Sequence, residues 1–228
     1  MPTAKERLFH LLALAAEGPA QRAALAGELA DLVLDWPADC PEAMRAPVIT
    51  LFALTVRETD EETRTKLAPR IGGHAELPLH LINEFFLCAP ARLRREILTR
   101  NALTEEEDAA DGTPPPSLDM PALIDIARNT SIADFTVTAA RALGIAPYTM
   151  RTILADGSAE MLSVLCKGAH LDRAAFSTVA LLQGGGEGDA VTRLMAYDTV
   201  PQRAAEKLTR HWRAQAGHIP ALHAHAAE

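Results

Sequence analysis

The residues that could perform chemistry are few in this sequence, and the best placed of them is a cysteine. Cys166 is followed by Lys167, and a neighbouring cation lowers the pKa of a thiol and makes it more nucleophilic. Ser163, Cys166 and Ala169, however, recur at a spacing of three residues, which places them on one face of a helix. Because a cysteine on such a face is commonly a small buried hydrophobe, the pattern favours packing over nucleophilic catalysis.

The sequence contains no complete phosphate-binding or metal-binding motif. Residues 184–188 are rich in glycine, but no Gly-Lys-Ser or Gly-Lys-Thr closes them as it does in a phosphate-binding loop. His218, His223 and His225 could gather a metal ion, yet they fall in a stretch that we interpret as a flexible tail, residues 216–228. We therefore expect no catalytic residue, no cofactor and no metal ion. A further class of function that the sequence leaves open is an enzyme whose site is assembled from residues distant in the sequence.

Helices must position whatever site the chain has. Apolar residues make up 48% of the sequence but aromatic residues only 4%, and alanine and leucine carry most of the apolar share. These two residues lose little free energy on entering a helix, whereas the β-branched and aromatic residues that favour strands are scarce. The composition predicts an all-α fold.

Proline, glycine and capping signals divide the chain into predicted helices. Thr59 with Glu62 has the spacing of a capping box, Ser131 is a further N-cap candidate, and Pro47 falls inside a helical region as a kink or a fresh start. The predicted helices cover residues 4–17, 21–35, 40–58, 60–72, 77–87, 90–100, 120–128, 132–143, 147–155, 189–197 and 201–215.

A helix-turn-helix pattern occurs twice among these predicted helices. Residues 140–154 contain a helix end at Gly144, a short turn and a helix with an apolar stripe, and residues 167–181 repeat the pattern after Gly168. Any tight helix pair needs the same features to bury its inner faces. The repeated helix-turn-helix pattern therefore predicts either a DNA-reading module or two units of a stacked helical array.

Under the first alternative, residues 132–155 are the helix-turn-helix-like segment of a nucleic-acid-associated regulator. The side chains that its second helix would turn toward DNA are Tyr148, Thr149, Arg151 and Thr152. Only one of the four is basic and the chain has a formal net charge of −8, whereas affinity for nucleic acid comes largely from neutralised phosphates. The charge balance therefore favours a structural helix pair, and nucleic acid is not the partner that we expect.

Basic residues cluster on two other predicted helices. The members of the second cluster are spaced by four and three residues and therefore share one helical face. Such clusters are either solvated helix faces or sites that meet an acidic partner surface, a phosphate or the acidic stretch of the same chain. The candidate partner-binding residues are Arg92, Arg94, Arg95, Arg203, Lys207 and Arg210.

An acidic and proline-rich stretch divides the chain. Residues 105–108 are all acidic and residues 114–116 are all proline, which removes backbone donors and prevents a helix. We therefore predict a linker between two helical subdomains. The predicted bounds are residues 1–103 for the N-terminal subdomain, 104–118 for the linker, 119–215 for the C-terminal subdomain and 216–228 for the tail.

The sequence predicts a cytoplasmic protein without a membrane span. Charged residues interrupt every apolar run before about 20 residues are reached. Lys5 and Arg7 precede an apolar run at residues 8–16 as in a signal peptide, but the run has one apolar helical face and no small-residue cleavage site follows it. The three cysteines are widely separated and odd in number, as expected for reduced thiols.

Short runs in both halves of the chain are distinctive. The C-terminal runs are LGIAP at residues 143–147, ILADG at residues 153–157 and LSVLCKG at residues 162–168. The N-terminal runs lie at residues 64–68, 77–87 and 94–103. In these runs the chain resembles an uncharacterised bacterial family of helical proteins, a domain of unknown function similar to HEAT-like helical repeats. The resemblance implies a HEAT-like fold for most of the chain and supplies no catalytic residue.

These observations together predict an all-α, irregular HEAT-like array of stacked helix pairs, an α-solenoid-like fold in two subdomains. Stacked helix pairs leave a surface whose exposed side chains vary freely, and such arrays commonly bind proteins. We therefore expect a non-enzymatic protein-interaction or adaptor and regulatory scaffold with a protein partner of unknown identity. Homo-oligomerisation is left open, and the nucleic-acid-associated regulator is the alternative.

Overall fold

The structure is a computed structural model that describes residues 19–72, 74, 76–104, 120–183 and 189–217. This part of the chain folds into α-helices and short 3₁₀ turns and contains no strand, which confirms the all-α class. None of the described helices is long and apolar enough to cross a membrane. The predicted helix at residues 4–17, nearly all of the linker, the glycine-rich stretch and nearly all of the tail lie outside the described residues.

The chain divides into two compact units, Met1–Ile97 and Leu98–Glu228. The division falls inside one helix, upstream of the linker predicted at residues 104–118. The helices up to that point are α1 (Pro19–Leu34), α2 (Arg45–Glu58), α3 (Glu61–Ile71), α4 (Leu79–Asn83) and α5 (Ala91–Leu103), with 3₁₀ turns at Glu42–Met44 and Phe86–Cys88.

The first unit is built around buried aromatic and aliphatic side chains. The rings of Phe52 and Phe85 lie 6.2 Å apart and both side chains are fully buried, as is Leu29 of α1. The carboxylate of Glu84, whose side chain is 3% exposed, accepts a hydrogen bond of 2.6 Å from Nε of Arg57. Such a buried charge is tolerated because its partner is charged and bonded to it.

The start of α3 differs from the capping box predicted at Thr59 and Glu62. The N-cap is Asp60, whose carboxylate accepts a hydrogen bond of 2.7 Å from the backbone N–H of Thr63. The hydroxyl of Thr59 instead donates to the carbonyl oxygen of Val56 at the end of α2. The capping-box prediction is therefore wrong by one residue, because Thr59 terminates one helix rather than starting the next.

The second unit contains the two helix pairs that the repeated helix-turn-helix pattern predicted. Ser131 caps the second helix of this unit through the backbone N–H of Asp134, and Gly144 ends that helix with a φ of 71°, a left-handed conformation that glycine adopts without strain. The helices after the linker are α6 (Met120–Asn129), α7 (Ile132–Leu143), α8 (Pro147–Ala155), α9 (Glu160–Gly168), α10 (Arg173–Leu182), α11 (Ala190–Thr199) and α12 (Gln202–Gly217).

A close helix crossing in the second unit lies between α9 and α12. Gly168 stands where a β-carbon would overlap the hydroxyl of Thr209 and the backbone carbonyl of Ala205. Small residues on both helices therefore let the two backbones approach. Trp212, one turn beyond the crossing, is 1% exposed and belongs to the core.

Side chains from other helices hold the carbonyl oxygens at helix C-termini throughout the second unit. These oxygens have no partner inside their own helix, and a side-chain donor from elsewhere in the unit supplies one. A positive donor is also favoured at this end of the helix dipole. The bonds are Lys207 to Thr104 after α5, Gln183 to Ala127 in α6, Arg213 to Leu143 in α7, Gln202 to Lys167 in α9, Arg193 to Ala180 in α10 and Lys167 to Val200 after α11.

Candidate functional site

The helix-turn-helix-like segment forms as predicted, but its second helix is oriented differently. Tyr148 is 42% exposed, Arg151 is exposed and Thr152 is half-buried. Thr149 is only 2% exposed, because it lies on the face of α8 that carries Met150 into the core. The expectation that Thr149 faces outward is therefore wrong, and the surface left for a nucleic acid consists of an aromatic ring, one arginine and one threonine.

A basic side chain of α12 lies at the turn of the same segment. Nε of Arg213 donates to the carbonyl oxygen of Leu143 at 2.9 Å, which satisfies the C-terminus of α7. Burial lowers the pKa of Arg213, since the surrounding protein disfavours its charge. This arginine therefore supports the helix pair and is not free to neutralise a phosphate.

The first basic cluster does not form one exposed face. Arg92, with a side chain 90% exposed, pairs with Glu96 at 3.3 Å, and Nε of Arg95 donates to the carbonyl oxygen of Ala91 at 3.4 Å. Arg94 is 7% exposed and therefore buried, because its position on α5 faces inward, two residues from Arg92. Of the three arginines, Arg94 is not available as a surface contact.

The second basic cluster is divided between surface and structural roles. Arg203 and Arg210 are exposed. Lys207 lies between them on the same face of α12, but its ammonium nitrogen is 2.7 Å from the carbonyl oxygen of Thr104. Lys207 thus holds the end of α5, and the exposed part of this cluster is narrower than the spacing of the three residues predicted.

Lys167, the cation next to Cys166, is also committed to the fold. Its ammonium donates to the carbonyl oxygen of Val200 at 2.6 Å and lies 4.8 Å from the ring centre of Tyr197, a cation–π contact. The hydroxyl of Tyr197 donates to the carbonyl oxygen of Leu171 at 2.7 Å. Desolvation lowers the pKa of Lys167. This group of contacts ties the loop between α9 and α10 to the end of α11.

The thiols of Cys166, which is buried, and Cys88, which is half-buried, are poor nucleophiles. Burial raises the pKa of Cys166 to about 12 and that of Cys88 to about 11, so both are protonated at neutral pH. Lys167 does not lower the pKa of the neighbouring thiol, since its ammonium is turned toward Val200. The geometry agrees with the packing interpretation of Cys166. Among the described residues, no three histidine, cysteine or acidic side chains converge to hold a metal ion.

The structure has an exposed apolar surface on α10 and α11 that the sequence did not predict. Its members are Leu181, which is 52% exposed, Leu182 at 51%, Val191 at 62% and Met195 at 56%. We call this group the α10–α11 face. None of the residues of α11 is fully buried. The available signal was the spacing of Val191 and Met195, which share one side of a helix whose other side already carries Leu194 and Tyr197.

The two helices that carry the α10–α11 face run antiparallel. The rings of Phe176 and Tyr197 lie 5.1 Å apart near one end of the pair, and Nη1 of Arg193 donates to the carbonyl oxygen of Ala180 at 3.4 Å near the other. Leu182 follows Ala180 by two residues and therefore lies at the same end as the start of α11. Leu182 of α10 and Val191 of α11 thus lie at one end of the helix pair.

The charged groups of this helix pair are engaged within the pair. Asp172 and Asp189 are the N-caps of α10 and α11, and the backbone and side-chain hydrogen bonds from Thr192 lower the pKa of Asp189. Arg173 forms a two-pronged ion pair with Asp198, with nitrogen–oxygen distances of 3.1 to 3.3 Å. The chemistry that the α10–α11 face offers is therefore apolar contact.

Comparison with protein-family models, with curated proteins and with solved structures finds no match to this chain. The function must therefore be argued from the arrangement of side chains. Among the described residues that arrangement provides a half-exposed apolar face, exposed arginines on α5 and α12, and the outer side of α8.

Proposed function

We propose that this chain is a non-enzymatic protein-interaction module, an adaptor or regulatory scaffold, and that a protein partner binds the α10–α11 face. The observation that carries the proposal is the exposure of Leu181, Leu182, Val191 and Met195, each more than half exposed on two adjacent helices. Single exposed apolar side chains are ordinary, whereas several on one surface are typical of sites that another protein covers.

The energetics of the face suit a protein partner. Fully burying a leucine, valine or methionine side chain contributes about 1.5 to 3 kcal/mol relative to leaving it exposed. Each of these four is about half-buried already, so covering each would contribute about 1 kcal/mol. A partner would gain this without breaking the ion pair between Arg173 and Asp198, which lies at the other end of the helix pair.

The basic residues take secondary roles in this proposal. Arg203 and Arg210 on α12 are exposed positions of the same unit where a partner's acidic groups would add attraction and speed association. Arg92 and Arg95 on α5 are exposed positions of the first unit. Arg94 and Lys207 act in the fold instead, because Arg94 is buried and Lys207 donates to the carbonyl oxygen of Thr104.

A HEAT-like arrangement in two subdomains, together with the family resemblance, is part of the same proposal. Its support is that each helix from α6 to α10 contacts the next along the chain. Helix stacking of this kind leaves the outer helices with one side uncovered, as α11 is.

The proposal is tested by capture with matched surface variants. Val191→Glu together with Met195→Glu puts two charges on the α10–α11 face, while Val137→Glu puts one on α7, where Val137 is 49% exposed. We expect a protein captured by the tagged wild-type chain to be retained by Val137→Glu and lost from the double variant, with all three chains equally helical by circular dichroism. Capture that is the same for all three would overturn the proposal.

Nucleic-acid binding is kept as a second candidate because the α7–α8 turn has the predicted form. Tyr148 and Arg151 are exposed one turn apart on α8. This candidate predicts a mobility shift with duplex DNA that weakens steeply as salt increases and is lost in Arg151→Ala. The absence of a shift at about 50 mM salt, where phosphate contacts are strong, would contradict it.

A further inference from the structure

We propose that residues 105–111 of this chain dock on a basic helical face of its second unit. We call these residues the acidic segment, and the basic face of α12 consists of Arg203, Lys207 and Arg210. The inference goes beyond the proposed function, because the surface lies on α12 rather than on α10 and α11 and its occupant belongs to the chain itself. Its support is the position of the residue that precedes the acidic segment, together with the charges that meet there.

Lys207 holds the residue that directly precedes the acidic segment. Its ammonium nitrogen is 2.7 Å from the carbonyl oxygen of Thr104, and Thr104 and α12 belong to the same unit. Arg203 and Arg210 lie four and three residues from Lys207, which corresponds to about 6 Å and about 4.5 Å along the helix axis. Four extended residues span about 13 Å. The acidic segment therefore begins at the basic face and is long enough to reach both arginines.

The acidic segment follows the C-terminus of α5, where negative charge is unfavourable. This terminus is the negative end of the helix dipole, so carboxylates beside it destabilise the helix. Like charges close together also repel one another. A cationic surface at this position offsets both effects, and the basic face of α12 already contacts the end of α5 through Lys207. The carboxylates of the acidic segment are those of Glu105, Glu106, Glu107, Asp108 and Asp111.

The side chains of the basic face have the donors that carboxylates require. Arg203 and Arg210 are exposed, and a guanidinium binds a carboxylate through two parallel hydrogen bonds. An ammonium group has three N–H donors, so the bond from Lys207 to Thr104 leaves donors for a carboxylate as well. The basic face and the acidic segment are therefore complementary in charge and in hydrogen bonding.

Glu206, the acidic residue of α12, is directed away from this face. Its carboxylate accepts a hydrogen bond of 2.8 Å from Gln202 and lies 3.8 Å from Nε2 of His170, which follows α9. Glu206 therefore adds to the contacts between α9 and α12 and does not neutralise the basic face. A partner's acidic groups would compete with the acidic segment for Arg203 and Arg210.

The first test is a double-mutant cycle on the full chain. The fluorescence of Trp212 follows urea unfolding in a common Trp36→Phe background, at an ionic strength of about 10 mM, where screening of exposed charges is weak. We expect Arg203→Gln with Arg210→Gln to raise the unfolding equilibrium constant about threefold or more, the size typical of two exposed ion pairs. The same pair of substitutions should have no effect once the acidic segment is neutralised by Glu105→Gln, Glu106→Gln, Glu107→Gln and Asp108→Asn.

The matched control for the cycle is Arg151→Gln, which removes an exposed arginine from α8 in the same unit. Its effect should not depend on the charge of the acidic segment. Arginine substitutions on α12 that change the unfolding equilibrium constant equally with the charged and the neutralised segment would overturn the inference.

The second test identifies the occupant of the basic face by carbodiimide crosslinking, which joins an amine to a carboxylate as an amide. Arg210→Lys places an amine on the face and keeps its charge, and Arg151→Lys is the control on α8. We expect mass spectrometry to find position 210 joined to a carboxylate of the acidic segment within one chain of 24.5 kDa, with no such product from position 151.

The remaining outcomes each overturn the inference. A crosslink from position 210 found only at twice the chain mass would assign the face to the acidic segment of a second copy. The absence of any crosslink between position 210 and the acidic segment would leave the face to a phosphate or to another protein.

Discussion

Gly168 of α9 lies against Thr209 of α12 so closely that the hydroxyl oxygen of Thr209 occupies the place of a β-carbon on Gly168. The backbone carbonyl of Ala205 borders the same place. This contact fixes the distance between the two helices, and it involves backbone atoms that cannot turn aside as a flexible side chain can.

Replacing this glycine should therefore destabilise the second unit. Gly168→Ala forces α9 away from α12 and is expected to lower the free energy of unfolding by about 1 to 3 kcal/mol or more, the range for overpacked cores. Gly27→Ala is the matched control, since Gly27 also lies in a helix but a β-carbon there meets nothing within 4 Å. Alanine at that site should be neutral or stabilise by about 0.5 to 1 kcal/mol. Equal changes in the free energy of unfolding for the two substitutions, measured in urea, would contradict the close contact between α9 and α12.

The sequence predicted the helices better than their contacts. Local signals such as Ser131, Gly144 and Pro147 act within one turn of the chain, and the structure places each at the predicted helix end. The crossing at Gly168 depends on Thr209, 41 residues away, and no local pattern carries that information. Thr59 was misassigned for a related reason, because either of two adjacent residues could cap α3.

Lys207 and Arg203 should differ in their effect on stability although they lie on one face of α12. Lys207→Met removes the hydrogen bond to the carbonyl oxygen of Thr104 but keeps an apolar stem, and should lower the free energy of unfolding by about 1 kcal/mol. Arg203→Met should change it by less than about 0.5 kcal/mol, as is usual for an exposed site. The check is urea unfolding followed by circular dichroism. A larger loss for Arg203→Met than for Lys207→Met would show that the assignment of roles is wrong.

Thiol labelling should follow burial. Because burial raises the pKa of Cys166 to about 12 and of Cys88 to about 11, a thiolate-specific reagent at neutral pH should leave both almost unmodified in the folded chain. Cys40 and Cys88 are both half-buried, but the pKa of Cys88 is raised, so Cys40 should be labelled first. In guanidinium all three cysteines should react. Mass spectrometry of the labelled chain identifies the sites, and Cys166 reacting as fast as Cys40 would contradict the buried assignment.

The stability added by the N-cap of α3 should depend on pH. The hydrogen bonds from Thr63 hold the pKa of Asp60 below its ordinary value of 3.8 in the folded chain. A carboxylate with a lowered pKa contributes stability that is fully present above 3.8 and is lost as the pH falls through the folded-state value. Asp60→Asn keeps a cap that does not titrate.

The measurement for this cap is the difference in unfolding free energy between wild type and Asp60→Asn, followed as the pH falls. Wild type should lose stability relative to the variant below pH 3.8 and keep a constant difference above it. Parallel pH curves for the two chains would mean that the carboxylate does not cap α3.

The candidate site was predictable only in part, because exposure is a tertiary property. The spacing of Arg203, Lys207 and Arg210 correctly placed them on one helical face, but it did not reveal that Lys207 reaches Thr104. The sequence does not determine whether Thr149 lies on the outer or the inner side of α8. Packing against the core places it on the inner side. The exposed pair of Val191 and Met195 resembled an ordinary core stripe until the structure left it uncovered.

The central claim, that a protein covers the α10–α11 face, is tested most directly by photo-crosslinking from within that face. A photoreactive phenylalanine in place of Met195 samples the face, and the same residue in place of Val137 samples exposed surface on α7. We predict a crosslinked product from position 195 that is absent or much weaker from position 137. Equal products from both positions, or a product from position 137 alone, would contradict the claim.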